Sequence, residues 1–279
     1  MKIPAARWHS AIAKRRSRRQ FNGTLLTREH IKRMHSVCKN FRPFDGVHAE
    51  LIEESPDSIL KGIIGSYGVI KGASTFLAFV GNARNPFVHE QVGYTGEGII
   101  LEAESLRLNT CWVGGNFRPD VVASHIDIAR GETVFAVAPI GYAERKTTFT
   151  EKLVSGFGWT HRRKQLPHLV HGLNKKEWPD WMESSLEAAR LAPSAFNRQP
   201  WRFLSDSHSI TVAVDGRNVR REETMSKRLD CGVAMLHIEL GALVNGAKGE
   251  WEFINPPGVA RFTVSDQNKQ SAKRNISGG

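Results

Sequence analysis

The sequence is poor in cysteine, and the few cysteines present exclude two kinds of protein. Its three cysteines, Cys38, Cys111 and Cys231, lie far apart and form no Cys-x-x-Cys pair and no Cys/His cluster. This spacing argues against a disulfide framework and against a zinc site, so we expect no metal. We expect all three cysteines to be reduced, small, buried side chains.

Long apolar runs are also missing. No stretch approaches the length of a membrane span. The first residues, MKIPAARWHSAIAKRRSRRQF, contain no apolar signal-peptide core. We therefore expect a cytoplasmic protein without a membrane partner. Hydrophobic residues make up 40% and charged residues 24% of the 279 residues, as in ordinary globular proteins of one large domain or two smaller ones.

Motifs for reading nucleic acid are absent as well, although the formal net charge is +11. The sequence has no helix-turn-helix, zinc-finger or RNA-recognition pattern, so we expect no nucleic-acid partner. A basic surface without such a module favours a solvated face or a site for a small anion. The positive charge is concentrated in four clusters: Lys14–Arg19, His161–Lys164, Arg217–Arg221 and the C-terminal KRNISGG.

The order helix, strand, long helix, strand occurs twice along the chain. The two long helices are predicted over residues 89–109 and 228–247, and each is followed by a tryptophan, Trp112 or Trp251. This repetition favours an internal duplication, although two buried helices can also look alike by chance. A single constant offset between the helices aligns the following pairs: Gly96 with Gly232, Ile99 with Met235, Ile100 with Leu236 and Asn109 with Asn245.

Three motifs carry candidate chemistry. KRRSRRQF could be a phosphate clamp, because arginine binds phosphate oxygens in forked pairs, or simply a solvated basic face. CWVGGNF follows the first long helix, and Gly114 and Gly115 would let a flat ligand approach the backbone, although the motif could be only a turn. APSAFNRQPWRF holds serine and asparagine between prolines of fixed φ, which suits hydrogen bonding to a heteroaromatic edge or a capped loop.

Together these motifs resemble the nitroreductase family of FMN-dependent oxidoreductases. RRSRRQF is similar to the family's Arg-x-Ser-x-[Arg/Lys]-x-Phe phosphate motif. APSAFNRQPWRF is similar to its Ala-Pro-Ser-x-x-Asn-x-Gln-Pro-Trp loop, which is the most specific match. EGIILEAESLRLNTCWVGGNF resembles the helix and turn that lie against the flavin, and APIGYAERK and RRKQLPHLV resemble the closing strand and the basic tail motif. The resemblance covers most of residues 10–255.

One departure from the family concerns the Ala-Pro-Ser loop. In the family this loop follows soon after the Arg-x-Ser motif, whereas here it lies near residue 193. Family members are usually homodimers that share each flavin between subunits, so the chain looks like such a dimer fused into one. The resemblance implies an α+β fold of two tandem halves, a pseudo-dimer around central long helices. We expect halves at 1–172 and 173–265, a disordered tail at 266–279, and a monomer with one intact flavin site.

The resemblance implies FMN as cofactor and NADH or NADPH as co-substrate. The expected activity is ping-pong hydride transfer through flavin N5 to a nitroaromatic, a quinone or a similar small acceptor, with no obligatory catalytic side chain. The alternatives are a flavin-binding sensor or carrier and, less favoured, a basic nucleic-acid-binding protein.

The site residues follow from the matching motif positions. They are Arg15, Arg16, Ser17 and Arg19 for the phosphate and ribityl chain; Arg163 and Lys164 for added charge; Trp112, Val113, Gly114 and Gly115 behind the ring; and Pro193, Ser194, Ala195 and Asn197 from the second half.

Overall fold

The computed structural model describes residues 1–56, 70–115, 117–144, 162–216 and 226–265. The basic cluster at 217–221, His161 and the predicted disordered tail at 266–279 therefore lie outside the described residues. The expectation for the cysteines is confirmed, since all three are free and buried. Within the described ranges, no helix combines the length and the apolar character needed to cross a membrane.

The first part of the chain builds a four-stranded antiparallel sheet in the order β1-β2-β4-β3. Strand β2 lies inside this sheet and is buried along nearly its whole length, which explains its continuous apolar sequence TFLAFVG. The elements are α1 (Ala5–Ile12), α2 (Arg28–Asn40), β1 (Val47–Ile52), β2 (Thr75–Asn82), α3 (Val88–Ser105), β3 (Asn109–Thr110), α4 (Pro119–Ala123) and β4 (Glu132–Gly141).

The second part builds a five-stranded sheet in the order β5-β6-β7-β9-β8. Its elements are β5 (Val170–Gly172), α5 (Asp180–Arg190), β6 (Trp201–Ser205), β7 (Ser209–Val214), α6 (Lys227–Val244), β8 (Gly249–Phe253) and β9 (Gly258–Val264), with short 3-10 turns at 166–168, 175–177 and 195–197.

The two sheets share one topology. The order β1-β2-β4-β3 corresponds to β6-β7-β9-β8, and a long helix follows the second of these strands along the chain in each case. The second sheet has an additional edge strand, β5, which pairs in parallel with β6. One continuous apolar core, with α3 and α6 at its centre, joins the two parts.

The predicted packing of the two long helices against each other is confirmed. A Cβ added to Gly93 on α3 would overlap the carbonyl oxygen of Leu229, and a Cβ added to Gly232 on α6 would overlap that of Glu90. Each helix thus places a glycine on the partner's backbone, and the two contacts are reciprocal, as across a two-fold axis.

This reciprocity corrects the register of the duplication. Gly93 corresponds to Gly232, and Glu90 corresponds to Leu229 at the same offset. The alignment that paired Gly96 with Gly232 is therefore wrong. The alignment was shifted from Gly93 to Gly96, which is close to one helical turn. A shift of this size still aligns the same faces of the two helices.

Local sequence signals placed most element ends, but not all of them. Thr27 is the N-cap of α2, the kind of residue that favours this position, and its hydroxyl oxygen accepts a hydrogen bond from the His30 N–H at 3.2 Å. Helix α3 ends earlier than predicted, because Asn109 already belongs to β3. Pro179 precedes α5 as its N-cap and does not lie within the first turn.

We predict that Gly232→Ala destabilises the protein. The added methyl group has no space against the Glu90 backbone, so the free energy of unfolding should fall by about 1–3 kcal/mol. Urea unfolding monitored by circular dichroism measures the effect. Gly216→Ala is the control, because no described atom beyond its chain neighbours lies within 4 Å of the position its methyl group would take, and it should change stability by less than about 1 kcal/mol. Equal stability of both variants would contradict the close helix crossing.

Candidate functional site

The basic segment after α1 folds against β3. Ser17 forms a parallel bridge with Thr110, and the Arg18 N–H donates to the Thr110 carbonyl at 2.9 Å. This pairing turns Arg15 into the protein, where its side chain is only 6% exposed. Arg16 stays exposed, and its Nη1 donates to two backbone carbonyls of the same segment at 2.8 and 2.9 Å. The predicted clamp is therefore partly buried and fixed by backbone pairing.

The buried guanidinium group of Arg15 is only partly paired. Its Nε lies 3.9 Å from Oε1 of Glu97, which is an ion pair at the limit of contact. Its buried Nη1 has no hydrogen-bond partner among the described residues. Burying a charged donor without a partner is costly, so this position suits an anionic ligand that would accept from it.

Arg163 lies close to the same segment. Burial, together with the positive charges of Arg15, Arg16 and Arg190, lowers the pKa of Arg163 to about 10. Mutual repulsion of this kind requires that the guanidinium groups be near one another. The fold therefore brings Arg15, Arg16 and Arg163 together, although more than half of the chain separates them in sequence. We call these three residues the arginine cluster.

The Ala-Pro-Ser loop (residues 192–201) has an unusual backbone. Phe196, Asn197 and Gln199 have φ values of 51°, 54° and 48°, in the left-handed region that non-glycine residues avoid. Such strain persists only where the surroundings fix it, and it is concentrated at functional sites. Here the hydroxyl oxygen of Ser194 accepts from the Gln199 N–H at 2.9 Å, and the Gln199 side chain is buried beneath the loop.

The basic tail motif fixes this loop. Arg163 Nη1 donates to Asn197 Oδ1 at 2.6 Å, and the Lys164 N–H donates to Gln199 Oε1 at 2.7 Å. Lys164 Nζ donates to the carbonyl oxygens of Arg198 and Gln199, both at 3.1 Å. The predicted residues Arg163, Lys164 and Asn197 are thus brought together, and they hydrogen-bond within the loop and tail motif.

Asp230 anchors the loop from the other side, and sequence reasoning missed it. Its carboxylate accepts from the Ala195 N–H at 3.1 Å and from Arg198 Nε at 2.7 Å. Asp230 lies in the first turn of α6, where the helix dipole favours a negative charge. The remaining loop residue, Pro193, is buried.

The Trp112–Gly115 turn lies beside a cavity of about 270 Å³. The indole Nε1 of Trp112 donates to Glu97 Oε2 at 2.8 Å, and Val113 pairs with Val137 of β4. Gly114 and Gly115 line the cavity, whereas the arginine cluster lies outside it. Other residues of the cavity wall are His89, Phe117, Phe135, Ser226 and Leu229.

Glu97 connects the turn, the arginine cluster and the second half. Its Oε1 is 3.0 Å from Nε2 of His237, and both side chains are fully buried. His237 Nδ1 lies 2.9 Å from the carbonyl oxygen of Ala188. Because a carbonyl oxygen can only accept, Nδ1 carries a hydrogen, and the second proton lies between Nε2 and the carboxylate. The arrangement is a buried ion pair linking α3 to α6.

Sequence reasoning missed Glu97 and His237, although a signal exists. Each is an ionisable residue in a largely apolar helical stretch, GEGII and MLHIEL. Such residues are rarely buried unless they are paired, so a carboxylate on one central helix and a histidine on the other could have suggested an ion pair.

Comparisons with known proteins agree with this fold. Residues 8–242 match the sequence model of a family described as "Putative TM nitroreductase". A crystal structure of a putative nitroreductase from Thermotoga maritima is similar in fold, with 17% identity, a TM-score of 0.61, and coverage of 92% of this chain and 93% of that one. The search of curated proteins found no match.

Two further structures match over about half of the chain. A nitroreductase with bound FMN from Bacteroides fragilis has 14% identity and a TM-score of 0.41, and the match covers 52% of this chain and 92% of that one. An FMN-dependent nitroreductase from Clostridium difficile has 15% identity and a TM-score of 0.41, with coverage of 50% and 88%.

We predict that His237→Leu costs far more stability than a matched surface substitution. It removes the nearer ion-pair partner of the buried Glu97 and leaves the marginal Arg15 contact at 3.9 Å, so the free energy of unfolding should fall by about 3–5 kcal/mol. The control is His35→Leu, because His35 is also 3.0 Å from a carboxylate, Glu53, but this pair is about half exposed. That variant should lose less than about 1 kcal/mol. Urea unfolding compares the two, and equal losses would contradict a buried ion pair.

Proposed function

This chain belongs to the TM nitroreductase family, and we propose that it is an FMN-dependent oxidoreductase that uses NADH or NADPH. When bound, FMN would supply hydride transfer through N5, first from the nicotinamide and then, in a separate half-reaction, to a nitroaromatic, a quinone or a similar small acceptor. We infer no obligatory acid or base from the protein, and no nucleic acid or membrane as partner.

The observation that carries the proposal is the arginine cluster. Arg15, Arg16 and Arg163 are close enough to repel one another, and a buried Nη1 of Arg15 has no hydrogen-bond partner among the described residues. A phosphate group would accept hydrogen bonds from these side chains and relieve their repulsion. The residues present therefore fit the phosphate end of FMN.

The other predicted residues would hold the rest of the cofactor. Ser17 and Arg19 would add contacts from the clamp segment, and Lys164 would add charge from the tail motif. The turn at Trp112 and Val113 would lie behind the ring, where Gly114 and Gly115 leave the backbone open to a flat group. From the second half, Pro193, Ser194, Ala195 and Asn197 would border the ring and the ribityl chain.

We further propose that one chain works as a monomer in the way that a family homodimer does. Three observations support this pseudo-dimer. The two sheets share one strand order, and the glycine contacts of α3 and α6 are reciprocal. In addition, Asn197 in the second half accepts from Arg163 in the first. The domain limits 1–172 and 173–265 remain a prediction of the same proposal.

We predict that Arg15→Gln weakens FMN binding by about 10–100-fold, the effect of losing one charge-assisted contact. The control is Lys32→Gln, which removes a charge on the exposed face of α2 and should leave affinity unchanged. Quenching of flavin fluorescence gives the dissociation constants. Inorganic phosphate should also raise the Tm of the flavin-free wild type above that in chloride of equal ionic strength, and this shift should vanish in Arg15→Gln.

Equal losses of affinity for FMN in Arg15→Gln and Lys32→Gln would contradict a phosphate clamp and would support a solvated basic face instead. Enzymatic activity needs a separate assay, in which the FMN-loaded protein oxidises NADH or NADPH with menadione or nitrofurazone as acceptor. Full FMN occupancy without turnover would identify a sensor or carrier and refute the enzymatic proposal.

We also predict one FMN per chain and a particle of 31.2 kDa, the mass of one chain. The reason is that a complete set of site residues occurs only once in the sequence. Light scattering measures the particle mass, and flavin absorbance measures the number of FMN molecules per chain. A complementation test distinguishes a monomer from a dimer with exchanged residues. Arg15→Gln and Asn197→Ala each damage one contribution, and mixing the two variants should not restore FMN binding. Restored binding would show that two chains share a site, contrary to the fusion.

A further inference from the structure

A second cavity lies where the duplication would place a second site. Its volume is about 320 Å³, within the range of small-molecule pockets. The loop after α2, with Phe41 and Phe44, lines it, and this loop is the topological counterpart of the Ala-Pro-Ser loop after α5. Trp251 also lines it, and Trp251 is the counterpart of Trp112 in the register that the helix crossing sets. Two parts of this cavity wall, the loop after α2 and Trp251, are therefore counterparts of parts of the candidate site.

The chemistry of this second cavity is different. Among the described residues, Arg42 is the only arginine or lysine in its wall, and the side chain of Arg42 is half exposed and 3.8 Å from Glu50. This wall has no counterpart of the arginine cluster in the described part of the chain, so the cavity does not suit a phosphate. Aromatic rings form much of the wall instead, with Phe44 and Tyr94 in edge-to-face contact at a centroid distance of 5.1 Å.

A fixed carboxylate, Glu239, faces this cavity from α6. Its Oε2 accepts from the Tyr94 hydroxyl at 2.6 Å and from Trp251 Nε1 at 2.8 Å. Among the described residues, no group hydrogen-bonds to Oε1 of Glu239, and none forms an ion pair with this carboxylate. Burial raises the pKa of Glu239, which reflects the cost of removing its negative charge from water. The N-terminal ammonium of Met1 also lies in the cavity wall, where it donates to the Asn40 carbonyl oxygen at 2.9 Å.

We propose that this cavity binds a small arylalkyl ammonium ion, with the ammonium group on Glu239 and the ring against Trp251 and Phe44. The free Oε1 offers a charge-assisted hydrogen bond, and aromatic faces attract cations. Glu250 at the cavity adds a second negative charge. The inference does not depend on the proposed flavin chemistry, because no residue of this wall belongs to the candidate flavin site.

The test is calorimetric titration of the full chain with 2-phenylethylamine and with 2-phenylethanol, its neutral analogue. The amine should bind at one site per chain, and the alcohol should bind at least about tenfold more weakly, because it lacks the charge. Glu239→Gln still accepts from Tyr94 and Trp251 but removes the negative charge. It should weaken binding of the amine by about 10–100-fold and leave that of the alcohol unchanged.

Two further variants complete the test. Asp45→Asn changes an exposed carboxylate in the same loop to an amide and should not alter binding of the amine. Phe44→Leu should weaken both ligands, because it removes an aromatic wall that they share, and this variant keeps the test valid should Glu239→Gln fail to fold. Three outcomes would overturn the proposal: no binding of the amine up to about 10 mM, equal affinity for both ligands, or wild-type affinity in Phe44→Leu.

Discussion

A single buried carboxylate, that of Glu97, holds several parts of this structure in relation to one another. It accepts from the Trp112 indole, pairs with His237 on the other central helix, and lies at the limit of contact with Arg15. Removing a charge from water is costly, so a fully buried carboxylate persists only while its partners stay in place. The turn beside one cavity, the arginine cluster and the second half of the fold are thus tied to one group.

The packing around this carboxylate permits little adjustment. Gly93 and Gly232 let α3 and α6 meet backbone to backbone, and any side chain at either position would force the helices apart. A wider separation would lengthen the contact between Glu97 and His237, which spans the same interface. Close packing of two apolar helices and the geometry of one ion pair are therefore parts of the same constraint.

The two halves share a topology but differ in charge. The loop after α5 is strained, tied to Asp230, and hydrogen-bonded to Arg163 from the other half. Its counterpart after α2 carries Phe41 and Phe44, which border a cavity that contains the carboxylate of Glu239, whereas the first site contains arginines. In the fused pair of halves that we propose, a substitution in one half is not repeated in the other, as it would be in a homodimer, so the halves are free to diverge in this way.

The sequence by itself determined the elements and the family. The repeated order of helix, strand, long helix and strand predicted the two central helices, and the motifs at Arg15–Arg19 and 192–201 pointed to nitroreductases, in agreement with the family match. These signals are local, since periodicity, capping and short motifs depend on neighbouring residues.

Only the tertiary structure decided the register that pairs Gly93 with Gly232, the pairing of Glu97 with His237 and the role of Asp230. Each of these depends on a contact between residues far apart in sequence. A shift of nearly one helical turn preserves a helix face, and an ionisable residue in a largely apolar helix does not reveal which distant group pairs with it.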